Sequence, residues 1–122
     1  VRLLVVDDSS TMRRIIKNNL KSIGLDDVVE AENGEGALAR LHAEKVDMVI
    51  TDWNMPVMSG LELVTNMRGN PQWQRTPVLM ITTMAERDDI LKAMQAGVTN
   101  YIVKPFDAAT LKKKIDQIAG AA

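Results

Sequence analysis

Met48-Val49-Ile50-Thr51-Asp52-Trp53-Asn54-Met55-Pro56 is the stretch on which the reading of this chain turns. Met48 to Thr51 is a short apolar run rich in β-branched residues, and it shows no in-and-out alternation. A strand reads this way when both faces of a parallel sheet are covered. The run then ends abruptly on a carboxylate, Asp52. Outward from it, three further runs share the same character: Leu3 to Val6, Val78 to Thr82 and Tyr101 to Val103. A weaker one runs from Asp27 to Ala31.

Helical spacing fills the intervals. Met12, Ile15, Ile16, Leu20 and Ile23 form one apolar stripe, stopped by Gly24. Asn33 precedes a second helix carrying Ala37, Leu38 and Leu41. Leu61, Leu63, Val64 and Met67 mark a third, ending near Gly69. Ile90, Leu91, Ala93 and Met94 mark a fourth, ending at Gly97, and Leu111, Ile115 and Ile118 mark the last. The order βαβαβαβαβα predicts an α/β, doubly wound, five-stranded parallel sheet with helices on both faces, because crossovers between parallel strands are right-handed. The 122 residues fit one domain, 1–122, with no internal repeat or linker.

Composition narrows the function. Hydrophobic residues make up 46% and charged residues 25%, as in an ordinary globular domain. The absence of cysteine excludes disulfide and thiolate chemistry. A net charge of -1 offers no basic field for nucleic acid. No run approaches a membrane span, and Val1 leads straight into a strand rather than a signal peptide, so a cytoplasmic location is expected. His42, the single histidine, falls in a polar helical stretch and is expected to face solvent.

The polar residues gather at strand ends. The first strand ends in Asp7-Asp8, the third in Asp52, the fourth in Thr82-Thr83 and the fifth in Lys104-Pro105. Open α/β sheets bind ligands outside the carboxyl ends of their strands. With the order 2-1-3-4-5, which is taken over from the flavodoxin-like class, these ends become neighbours. Three carboxylates would then converge. Unpaired they repel, and burial raises their pKa values. A hard cation resolves the conflict, and Mg²⁺ suits few carboxylates, retained waters and phosphate oxygens. Lys104 and the Thr82 hydroxyl complete a set suited to phosphoryl transfer, with a carboxylate as nucleophile.

Asp7-Asp8, Asp52, Thr82 and Lys104-Pro105-Phe106, together with Asp52-Trp53-Asn54-Met55-Pro56 and Gln95-Ala96-Gly97, resemble the response-regulator receiver family over essentially the whole chain, and its chemotaxis type most of all. The resemblance implies that Asp52 takes a phosphoryl group from the phosphohistidine of a histidine kinase. It implies that Asp7, Asp8, Asp52 and the main-chain carbonyl of Asn54 surround Mg²⁺, that Thr82 and Lys104 contact the phosphoryl group, and that Lys104-Pro105 is cis. It further implies that Tyr101 switches rotamer as Thr82 moves. The face of the fourth helix, fifth strand and fifth helix, with Ile90, Tyr101, Val103, Phe106 and Lys114, would then meet a flagellar motor switch protein. A phosphatase is a further partner of such proteins. The chain is expected to be a monomer and a signalling switch rather than an enzyme. Thr83 and Met84 depart from the family pattern near the path of an attacking water, so Thr83→Ala is expected to change the lifetime of the phosphoryl group.

Plainer readings stand beside these. Asp8 or Ser9 can cap the first helix, and Lys112-Lys113-Lys114 can be a solvated helix face. Trp53 reads as a surface-packed neighbour of the site, and Trp73 as a residue of the loop after Gly69-Asn70-Pro71. Two other roles use the same fold: a receiver cut from a larger regulator, and a phosphate sink. An aspartyl phosphatase would want an acid two residues after its nucleophile, where Asn54 stands. A flavin carrier would have its phosphate repelled by Asp7-Asp8.

Overall fold

A computed structural model describes residues 1–55, 57–83 and 86–121. Five strands alternate with five helices: β1 Leu3–Val6, α1 Ser10–Ser22, β2 Val28–Ala31, α2 Gly34–Ala43, β3 Met48–Asp52, α3 Gly60–Arg68, β4 Val78–Thr82, α4 Arg87–Ala96, β5 Asn100–Val103 and α5 Ala108–Ala121. The strands form one parallel sheet in the order β2-β1-β3-β4-β5. Leu4 pairs with Val49, and Ile50 in turn with Leu79. The predicted elements and their order are all present. β3 extends one residue further than expected, through Asp52, and β5 begins one residue earlier, at Asn100.

The uniform apolarity of the central strands is explained by the two layers that cover them. Leu3, Val5, Ile50, Leu79, Ile81 and Ile102 face Ile16, Leu20, Leu111, Ile115 and Ile118 of α1 and α5. Their sequence neighbours Leu4, Val6, Val49, Val78 and Met80 face Ala37, Leu41, Leu63, Val64, Met67 and Ala93 of α2, α3 and α4. Burying one such Leu or Ile side chain stabilises the fold by about 1.5–3 kcal/mol. Helix ends follow local chemistry. Ser9 Oγ accepts from the Met12 N–H, Asn33 Oδ1 accepts from the Gly36 N–H, and Ser59 and Glu62 form a reciprocal box at α3. Gly97 stops α4 at φ 106°, a left-handed conformation that costs a residue without Cβ nothing. None of the helices among the described residues is long and apolar enough to cross a membrane.

One aromatic assignment changes. Trp53 is not a surface residue: it is only 7% exposed and belongs to the α2–α3–α4 side of the core, where Trp73, in the loop after α3 as expected, is buried with it at 6% exposure. A large ring in a turn-rich stretch reads as exposed until tertiary neighbours are known, and here the buried area outweighs the local loop signal. His42 is exposed as expected, and its ring meets the Trp73 ring edge-on at 4.7 Å.

Candidate functional site

The register of the sheet carries its polar residues to one edge. β1 pairs with β3 up to Val6–Thr51, so Asp7 emerges beside Asp52. β3 pairs with β4 up to Asp52–Ile81, and β4 with β5 up to Thr82–Val103. Lys104 follows directly, and its N–H donates to the Thr82 carbonyl at 2.8 Å. The sheet has thus placed two acidic segments and a lysine around one point.

Carboxylate oxygens of Asp7, Asp8 and Asp52 lie within 4.8 Å of one another. The Lys104 ammonium stands 3.3 Å from Asp52 Oδ1 and 3.7 Å from Asp7 Oδ2. Asp52 Oδ1 also accepts from the Trp53 N–H at 2.9 Å. Asp7 is 1% exposed. Its Oδ1 accepts from the Ser9 N–H at 2.9 Å, whereas Oδ2 is buried with no hydrogen bond among the described residues. Burial pushes the Asp7 carboxyl above its ordinary pKa; the Ser9 N–H and Lys104 oppose that rise, and the charges of Asp52 and Asp8 add to it.

This donor set fits a hard divalent cation. Three carboxylates crowd together with one lysine to balance them, and one buried oxygen lacks a hydrogen-bond partner. Oxygen donors of this kind are what Mg²⁺ takes, with waters filling the remaining positions. Thr82 is 2% exposed at the end of β4, and Asn54 is exposed two residues beyond Asp52. Thr83 is exposed and lines an apolar cleft of about 420 Å³ with Met12, Ile15, Lys104, Pro105 and Phe106. Met84 lies outside the described residues. The Lys104-Pro105 peptide is cis.

The five residues expected on the partner face divide into two groups. Tyr101 on β5 packs against the α2–α3–α4 side, and the Lys114 ammonium of α5 lies 5.1 Å from its ring centroid. Ile90 and Val103 are half-buried. Phe106 parts from them: it packs on the α1–α5 side and lines the cleft with Met12 and Ile15. It stands beyond β5 in the segment that leads over to α5, so it lands on the opposite layer from Tyr101.

Two residues at the site carry no motif of their own. Gly60 donates its N–H to the Trp53 carbonyl at 2.8 Å, and its Cα lies so close to the Asp52 carbonyl that a methyl group there would overlap it. Arg13, four residues into α1, reaches back to the Asp7 carbonyl at 2.6 Å. The close glycine after an acidic strand end was a signal available in the sequence; the Arg13 contact was not.

A sheet edge that gathers three aspartates and a lysine matches a known family. The response regulator receiver domain model covers residues 3–116. The chain belongs to the response-regulator receiver family. It is 52% identical over 118 residues to the chemotaxis protein CheY-3 of Vibrio cholerae, covering 97% of this chain and 91% of that protein. It is 50% identical over 121 residues to the chemotaxis protein CheY1 of Helicobacter pylori, covering 98% of each. Among solved structures, the chemotaxis response regulator CheY4 of Vibrio cholerae superposes with a TM-score of 0.90 at 36% identity, over 97% of this chain and 98% of that one.

Proposed function

We propose that residues 1–122 act as one receiver domain of a chemotaxis response regulator, which takes a phosphoryl group on Asp52 from the phosphohistidine of a histidine kinase. The observation that carries this reading is the Lys104 ammonium 3.3 Å from Asp52 Oδ1, with Asp7 and Asp8 gathered alongside. The Asp52 carboxylate attacks phosphorus, the P–N bond breaks, and its electron pair returns to the donor's imidazole. Asp7, Asp8, Asp52 and the Asn54 main-chain carbonyl would hold Mg²⁺, which when bound neutralises charge on the phosphoryl oxygens. Lys104 offers a preformed cation to those oxygens, and Thr82, buried at the end of β4, offers its hydroxyl. The cleft of Met12, Ile15 and Phe106 gives the donor an apolar rim to rest on. The chain works as a switch rather than a turnover enzyme.

Output follows from what changes only in the phosphorylated state. A ligand shifts a population by its differential interaction with the two states. A phosphoryl group on Asp52 draws Thr82 and Lys104 toward it. Lys104 is the continuation of β5, which also carries Tyr101, so the α4–β5–α5 face changes and signals to the flagellar motor switch protein. The test is transfer from a radiolabelled histidine kinase in the presence of Mg²⁺. Wild type is expected to label and Asp52→Asn to stay blank; label retained in Asp52→Asn defeats the assignment. Beryllofluoride should then raise affinity for a motor-switch peptide, and equal affinity with and without it defeats the output half.

A further inference from the structure

Arg13 has no part in the chemistry above, yet its side chain is only 13% exposed and is engaged through two of its nitrogens. Its Nη1 donates to the main-chain carbonyl of Asp7 at 2.6 Å. Its Nε donates to Glu30 Oε1 on β2 at 3.0 Å. Lys17, one turn further along α1, donates to the other oxygen of Glu30 at 3.1 Å. Glu30 is therefore held from two sides, and burial, which alone would raise its pKa, is overcome by these two partners, so the carboxyl titrates below its ordinary range. A guanidinium presents its donors in a rigid fork, and here one prong takes a carboxylate and another a peptide oxygen.

The carbonyl that Arg13 holds belongs to the peptide joining Asp7 to Asp8. The Asp7 N–H on the other side donates to the Ala31 carbonyl at 3.1 Å. The backbone at the β1 end is thus fixed from both sides, by β2 through Ala31 and by α1 through Arg13. Asp7 has a further restraint, since its carboxylate accepts from the Ser9 N–H. Asp8 has none: it is exposed, and its carboxylate forms no hydrogen bond or ion pair among the described residues. What directs Asp8 into the acidic cluster is the orientation of its own backbone. That orientation depends on the peptide plane that Arg13 grips. Glu30, shared with Lys17, orients the Arg13 guanidinium, and what Arg13 adds at the cluster is its grip on the Asp7 carbonyl.

We propose that Arg13, oriented by Glu30, is a positioning residue for the divalent-cation site, acting through the Asp7–Asp8 peptide on Asp8. The inference rests on the reading of Asp7, Asp8 and Asp52 as a Mg²⁺ site. The experiment is a Mg²⁺ titration followed by Trp53 fluorescence in a Trp73→Phe background, with no phosphodonor present. Partners that orient metal ligands are worth about 10–100-fold in affinity. R13A is expected to weaken Mg²⁺ roughly tenfold, and R13K, which keeps the charge without the fork, should rescue little of that. K17A should stay within about twofold of wild type, since Lys17 touches Glu30 and not the Asp7 carbonyl. E30Q, the milder change if R13A folds poorly, should weaken binding by a few-fold. In a D8N background the R13A effect should largely vanish, because residues acting through one another are not additive. A merely structural role would leave the R13A penalty intact in D8N. An R13A affinity equal to wild type, full rescue by R13K, or an undiminished penalty in D8N overturns the proposal. A wild-type chain with no Mg²⁺ response overturns the parent reading and this one with it.

Discussion

Val57 has a main-chain φ of 71° and a side chain left 73% exposed, five residues beyond Asp52. Left-handed backbone costs an L-residue about 1–2 kcal/mol, and a β-branched side chain lies at the upper end of that range. Because the side chain reaches into solvent, removing it forfeits little packing. Glycine at this position relieves the strain but gives the unfolded chain more freedom, an opposing effect of about 0.5–1 kcal/mol. Val57→Gly is therefore expected to stabilise the protein by about 1 kcal/mol. For 122 residues, an unfolding entropy of about 2.1 cal/mol/K per residue converts this to a rise of roughly 4 °C in Tm. The assay is urea unfolding with EDTA present, so that metal binding does not shift the midpoint. Val57→Ala serves as control: it removes the branch but keeps Cβ, so it should recover only a small part of the gain. A glycine variant no more stable than wild type would refute the claim that strain, rather than contact, dominates at this residue.

Further predictions concern the site and its supports. Asp7 has its carboxyl raised in the folded protein by burial, so the native state holds this proton more tightly than the unfolded chain. Between the ordinary carboxyl value and the raised one, metal-free stability must fall as pH rises, and Asp7→Asn should flatten that fall while raising stability near neutral pH; an unchanged profile from urea melts across pH counts against it. Gly60→Ala should cost about 1–3 kcal/mol by driving a methyl into the Asp52 carbonyl, and a neutral result in the same assay would contradict the close approach. Lys114→Met should lose about 0.5–1 kcal/mol of cation–π attraction to Tyr101. Tyr101 is the only tyrosine, so its ring resonances report the change directly, and unaltered shifts would argue against the contact.

The layers and the gathering of acidic residues and Lys104 at one edge could be read from the chain because each rests on local pattern. Ile50 and Leu79 lie in runs without alternation, which announces a sheet covered on both faces, and Asp52, Thr82 and Lys104 stand where those runs stop. The strand order had to be borrowed from a fold class, since nothing within β1 says that β3 rather than β2 will lie toward the centre. What escaped was tertiary. Arg13 adjoins Arg14 on a helix and reads as solvated until β2 brings Glu30 beside it. Trp53 and Trp73 sit among turn residues, and only the α2–α3–α4 layer reveals the space that buries them. Phe106 reads as a companion of Tyr101 by sequence distance, while the step from β5 to α5 carries it to the other layer. The strain at Val57 has no sequence signature, because valine is a residue that avoids that conformation.

The position of β5 has a mechanical consequence. It is one of the sheet's two outermost strands, laddered to β4 alone, and its extension at Lys104 is tied to the Thr82 carbonyl. A pull on that tie can tilt or slide β5 without breaking a ladder on a far side, since no strand among the described residues lies beyond it. A similar pull on β3 would have to be absorbed by neighbours on both flanks. Compliance therefore lies at the two margins, and of these the one that carries Tyr101 is the one tied to Thr82, beside the stiffer β1–β3–β4 interior.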